Sequence, residues 1–120
     1  MVLVRLEASV LGARFLRERM RVPAHFDAEV LAAVRKSLRL RRIEEEQARL
    51  AVLHLHGLRA ERTALRPMVA EAFALRDSIG VYDAFYAIVA RLSEATLLTS
   101  DRGLARAAKG YCKVEYIRLS

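Results

Sequence analysis

Tryptophan is absent from this chain of 120 residues, cysteine occurs once, proline twice and glycine five times. The single cysteine, Cys112, excludes an internal disulfide framework and a multi-cysteine zinc site, and its isolation suits a reducing compartment. So few prolines and glycines leave no room for a flexible linker or a collagen-like repeat. No apolar run approaches the roughly 20 residues that span a bilayer. The start of the chain also lacks a charged region followed by an apolar stretch and a cleavage site. A cytoplasmic protein with no membrane contact is therefore expected. Neither G-x-x-x-x-G-K nor G-x-G-x-x-G occurs, so a nucleotide-binding loop is not supported. No serine sits in a G-x-S-x-G turn. Aspartate is scarce too: the four are Asp27, Asp77, Asp83 and Asp101.

Apolar residues make up 54% of the chain and charged residues 29%, enough to bury a core and to argue against disorder. The length predicts one domain over residues 1–120. Its 21 basic and 14 acidic side chains leave a formal charge of +7. Most of the bases are arginines, which fork onto phosphate oxygens, and a positive surface draws polyanions by counterion release. Charge alone serves solubility equally well.

Periodicity organises the chain. Met1–Leu6 reads as a short strand. Apolar residues at Val10, Leu11, Phe15 and Leu16 carry helical spacing and predict a helix over Ala8–Met20, broken at Arg21–Pro23. Val30, Leu31, Val34 and Leu38 form one face of a helix from Phe26 to Leu40. A basic cluster from Arg35 to Arg42 closes that helix, and Glu44, Glu45 and Glu46 open the next, as helix dipoles favour. That helix runs to His54, and an extended segment follows at Leu58–Leu65. Pro67 suits the first turn of a helix reaching Arg76. Ala84–Leu92 reads as a buried helix, Thr96–Thr99 as a buried strand, Asp101–Ala108 as a helix and Val114–Leu119 as a last strand. Helices alternating with short buried strands predict an α/β domain with a mainly parallel sheet.

In such sheets, sites gather where helices begin just past the carboxyl ends of strands. Glu29, Asp83 and Asp101 each stand in an early helical turn after a break. Taken singly, each reads as a cap or a dipole-stabilising acid. Taken together, carboxylates forced close repel unless a cation or a shared proton relieves them. A hard divalent ion does so, accepts one or two carboxylates, keeps waters, and can activate one of them against a phosphate.

Three segments carry a family resemblance: Val22–Lys36 (VPAHFDAEVLAAVRK), Leu75–Leu92 (LRDSIGVYDAFYAIVARL) and Leu97–Ala107 (LLTSDRGLARA). In that order and spacing they resemble the PIN-domain ribonuclease toxins of the VapC type. The combination of DAEV, YDA and T-x-D-x-x-LA is specific, whereas any one alone would be weak. The resemblance implies a three-layer α/β/α sandwich and an endoribonuclease that uses Mg²⁺ or Mn²⁺. It implies Glu29, Asp83 and Asp101 as acidic ligands, with Thr99 assisting by hydrogen bonding. It further implies an RNA substrate, a VapB-type antitoxin as partner, and a homodimer.

One segment departs from the pattern. The family opens with a strand ending in Asp, but this chain reads Leu6-Glu7-Ala8-Ser9. Either Glu7 takes the place of that first Asp, or the first strand and its acid are missing and Met1–Leu6 is an unrelated start. A weakened or incomplete acidic site is expected, weakened where Glu7 substitutes and incomplete where the first ligand is lost. The rival function is a degenerate PIN domain that binds antitoxin or RNA without cutting. A basic helix-turn-helix DNA binder is a third reading, disfavoured by the buried strand Thr96–Thr99.

Other candidates stay structural. His54 and His56 are two residues apart and point to different helix faces, so they make no i, i+4 ligand pair. Cys112 has no local catalytic partner. Tyr82, Phe85 and Tyr86 read as core around Asp83, with base stacking the minor alternative. Asp27 reads as a cap and Asp77 as a helix-end acid.

Overall fold

The computed structural model describes residues 2–5 by their backbone and residues 20–118 in full. Strand β1 is Val2–Arg5, and β2 is Met20–Pro23. Helices α1 (Phe26–Arg39) and α2 (Glu45–Gly57) lead to β3 (Ala60–Thr63). A 3-10 turn at Arg66–Met68 enters the short α3 (Val69–Ala74), and α4 spans Val81–Leu92. Strand β4 (Thr96–Thr99), helix α5 (Arg102–Ala108) and strand β5 (Lys113–Tyr116) complete the described chain.

The strands form one parallel sheet in the order β3-β2-β1-β4-β5. This bears out the α/β/α expectation and makes the sheet wholly, not mainly, parallel. The chain winds outward from β1 through β2 to β3, then crosses back to β4 and on to β5. The winding direction therefore reverses between β1 and β4, the kind of place where open α/β sheets bind ligands beyond the strands' carboxyl ends. Registers Arg5↔Thr99 and Pro23↔Thr63 keep those ends level.

Two expectations need correction. The first strand is not missing: Val2–Arg5 forms β1, which lies between β2 and β4 at the centre of the sheet. Arg21–Pro23 is not a helix break but part of β2. Met20 and Val22 point inward with Arg21 between them, the alternation of a strand. Pro23 is tolerated because it ends the strand, where its missing N–H removes little pairing. The helix expected over Ala8–Met20 falls outside the described residues except at Met20, which belongs to β2.

The core is continuous from β2 and β4 through α4. Val22, Leu97, Ala84, Ala87 and Ala90 are fully buried. Every residue of α4 from Ala84 to Ala90 is buried, as its all-round apolar pattern predicts. Helix α2 begins where the acids predicted, with the Gln47 side chain accepting from the Glu44 N–H at 2.7 Å. Helices α1 and α4 end without glycine. Arg41 (φ 55°) and Glu94 (φ 53°) take the left-handed position instead. Each is framed by the hydrogen-bond pair of a Schellman turn: Arg42 N–H to Ser37 O and Arg41 N–H to Leu38 O, then Ala95 N–H to Ala90 O and Glu94 N–H to Arg91 O.

Candidate active site at the carboxyl edge of the sheet

Two contacts set the direction of α4. Just past β2, the His25 imidazole Nε2 lies 3.2 Å from the Tyr82 carbonyl in the first turn of α4. At the start of β2, Arg21 donates to the Ser93 hydroxyl just after α4, at 3.1 Å. Helix α4 therefore runs against the strands, and its N-terminus stands at their carboxyl edge. Helices α1 and α5 begin at the same edge because each directly follows a strand. Glu29, Asp83 and Asp101, remote in the chain, thus share one edge of one sheet.

Each acid is held differently. Glu29 Oε1 accepts from the Tyr86 hydroxyl at 2.6 Å and lies 3.4 Å from His25 Nε2. Asp83 is half-buried, with Oδ1 shut away from solvent. Asp101 caps α5: its Oδ1 accepts from the Leu104 N–H at 3.0 Å. Thr99 is completely buried, and its hydroxyl accepts from the Asp101 N–H at 3.0 Å. That bond fixes the strand-to-helix turn that delivers the carboxylate, so Thr99 acts on Asp101 directly. Asp27 is not a cap: it takes a two-pronged contact from Arg62 on β3, at 2.7 and 3.0 Å. Hydrogen bonding to Asp27 is the largest influence on Arg62 and holds its guanidinium pKa above the ordinary value. Asp77, His54 and His56 are exposed.

Among the described residues, no three His, Cys, Asp or Glu side chains converge tightly enough to hold a metal ion. The topology gives a reason. The helices carrying Glu29 and Asp101 follow β2 and β4, two strand spacings or roughly 10 Å apart. Strand β1 stands between them. Glu7, two positions after the end of β1 in sequence, lies outside the described residues. The donor chemistry still suits a hard divalent cation, because oxygen ligands are what it takes. Mg²⁺ binds through one or two carboxylates and retains water, so a closed cage is not required.

His25 and Tyr86 are the residues that sequence reasoning passed over. Tyr86 was read as core, and it is both buried and polar at its tip. The available signals were spacing alone: His25 is four before Glu29 on one helical face, and Tyr86 is three after Asp83.

A doubly wound parallel sheet with acids at three helix starts defines the class to which this protein belongs. The PIN domain family matches residues 3–110, and the chain is a member of that family. It is 36% identical over 99 residues to Ribonuclease VapC3 of Mycobacterium tuberculosis, spanning 82% of this chain and 72% of that one. It is 31% identical over 111 residues to Ribonuclease VapC12 of the same species, spanning 92% and 86%. Among solved structures it resembles PAE2754 from Pyrobaculum aerophilum, with TM-score 0.68 and 26% identity over 94% of this chain and 81% of that one. FitAcB from Neisseria gonorrhoeae shares the fold, with TM-score 0.56 and 16% identity over 95% and 96% of the two chains. The family match begins inside β1, in keeping with the strand's central place.

Proposed function

We propose that this chain, as one domain over residues 1–120, is a metal-dependent endoribonuclease acting in the cytoplasm as the toxin of a type II toxin–antitoxin pair. Family membership and the ribonuclease relatives support the chemistry. The observation that carries the site is the arrival of Glu29, Asp83 and Asp101 at one carboxyl edge, where the sheet reverses its winding. These three would hold Mg²⁺ or Mn²⁺, with Glu7 the candidate for the first ligand by its position after β1. When bound, such an ion would acidify a coordinated water and offset charge growing on the phosphate. The protein's share is positional. Thr99 and Leu104 fix Asp101 through backbone bonds, and Tyr86 fixes Glu29. One of the three carboxylates takes the proton of the attacking water. Arg102, one residue beyond Asp101 with its guanidinium 5.8 Å from the Tyr116 ring, would meet the RNA backbone as a positioning contact.

Partners follow from exposed apolar surface. A groove of about 560 Å³ between α1 and α2 is lined by Leu31, Val34, Leu38, Val52 and Leu53, together with Arg35 and the Arg49–Glu45 pair. It suits the apolar face of an acidic helix from a VapB-type antitoxin. Val69, Phe73, Val81 and Tyr82 expose a second apolar patch along α3 and the start of α4, which a second copy of the chain would cover.

The test is cleavage of a structured RNA with added Mn²⁺. Wild type is expected to cut and Asp83→Asn is not; equal cutting by both would place the activity elsewhere. A second reading, binding without cleavage, is favoured by the lack of a three-ligand group among the described residues. RNA retention by a wild-type protein that leaves the strand intact would establish it.

A further inference from the structure

His25 lies against three aromatic rings of α4, with centroids 5.8 Å from Tyr82, 5.6 Å from Phe85 and 5.1 Å from Tyr86. Its side chain is only 13% exposed. Both polar neighbours of Nε2 are acceptors: the Tyr82 carbonyl at 3.2 Å and Glu29 Oε1 at 3.4 Å. A ring nitrogen between two acceptors carries the proton, so Nε2 is the donor. Nδ1 is buried and has no hydrogen-bond partner among the described residues. The ring is thus oriented by its aromatic walls and by Nε2 alone, and it leans toward the oxygen of Glu29 that the Tyr86 hydroxyl already engages at 2.6 Å. Tyr86 itself is 1% exposed, so its hydroxyl has little freedom to turn away. One donor from the body of α4, the Tyr86 hydroxyl, binds this carboxylate oxygen, and the His25 ring, whose Nε2 N–H goes to the Tyr82 carbonyl, rests against the same oxygen at 3.4 Å from the turn before α1.

We propose that His25 and Tyr86 are positioning residues that set the orientation of the Glu29 carboxylate. The proposal rests on the reading of Glu29 as part of the cation and RNA site. A carboxylate on a long side chain sweeps several rotamers; a fixed donor and a close, buried ring on one oxygen hold it. Partners of this kind change metal affinity or activity by about 10- to 100-fold when removed.

The experiment uses the full chain and Mn²⁺ alone, with binding followed by the electron paramagnetic resonance signal of free Mn²⁺. RNA cleavage is measured alongside and folding is checked by circular dichroism. Tyr86→Phe and His25→Phe keep the aromatic bulk and remove the hydroxyl and the ring nitrogens; both are expected to weaken Mn²⁺ binding by roughly 10- to 100-fold. They are also expected to lower kcat with little change in KM for RNA. His25→Gln restores a donor near the Nε2 position and is expected to recover binding. Wild-type Mn²⁺ affinity in both Phe variants, with Glu29→Gln impaired, would overturn the proposal. A normal His25→Phe beside a defective His25→Gln would reduce His25 to ring packing and overturn its part. If Glu29→Gln itself bound Mn²⁺ and cut RNA like wild type, the site assignment would fall and the proposal with it.

Discussion

The two ends of the sheet are built from opposite charges. At the carboxyl edge stand Glu29, Asp83 and Asp101, each in the opening turn of a helix or capping it. At the amino edge, α1 closes with Lys36 and Arg39, α4 with Arg91 and α5 with Arg106. Because these helices all run against the strands, one dipole rule, acids at helix starts and bases at helix ends, sorts these charges to opposite edges. The arginines at the end of α1 therefore lie away from the acids, with Arg39 roughly 15 Å from Glu29 along the helix axis. The edges also differ in restraint. The acids at the carboxyl edge are tied into the fold by Tyr86, Leu104 and Thr99. Both left-handed non-glycine residues among the described residues, Arg41 and Glu94, belong to the amino edge.

The largest expected contrast between the edges is in catalysis. Asp101→Asn should reduce Mn²⁺-dependent RNA cleavage by about 10²- to 10³-fold, the scale on which one charge-stabilising group acts. The double variant Lys36→Glu, Arg39→Glu at the opposite edge should leave the cleavage step almost unchanged. Comparable losses at both edges, measured as single-turnover rates, would break the comparison.

The layer between the edges should be the most costly to stability. Leu97 is fully buried in β4, and Leu97→Ala should cost about 3 kcal/mol in urea unfolding. The exposed Leu53→Ala should cost under roughly 0.5 kcal/mol. Asp101 separates its two duties. Asp101→Ala loses both charge and cap, whereas asparagine keeps the cap to Leu104, so the alanine variant should be about 1 kcal/mol less stable than Asp101→Asn. Equal stability would mean that the cap contributes nothing.

At the amino edge the sign reverses. Glu94→Gly should raise stability by up to about 1 kcal/mol, because glycine meets no Cβ penalty at φ 53°. The smallest effect is a pH dependence at Cys112, whose thiol burial pushes above its ordinary pKa of 9.0, against a smaller opposing pull from Arg91. Folding then favours the protonated thiol. Its contribution to stability is present below the unfolded pKa and fades as pH rises through the folded one. Disulfide exchange with an aromatic reagent at pH 8 should be slower for the native protein than after unfolding, and faster native reaction would contradict the burial.

Much of this was legible in the chain. The apolar spacing of α1 and α4, the acids opening α2 and the T-x-D turn into α5 each depend on neighbours within one or two helical turns. Strand β2 was hidden because only Met20 and Val22 mark its alternation and Pro23 mimics a break. The ends of α1 and α4 were obscured because Arg41 and Glu94 fill positions where glycine usually announces a Schellman turn. Asp27 looked like a cap because Arg62, which claims it, lies 35 residues away.

The sequence by itself determined the family and most of the helices, since periodicity, capping and motif are written in adjacent residues. Only the tertiary structure decided which edge each acid occupies and what holds it. Tyr86 reaches Glu29 across 57 positions, and Arg21 reaches Ser93 across 72. Such pairings exist only after chain entropy has been overcome by burying a common core, and no local pattern encodes them.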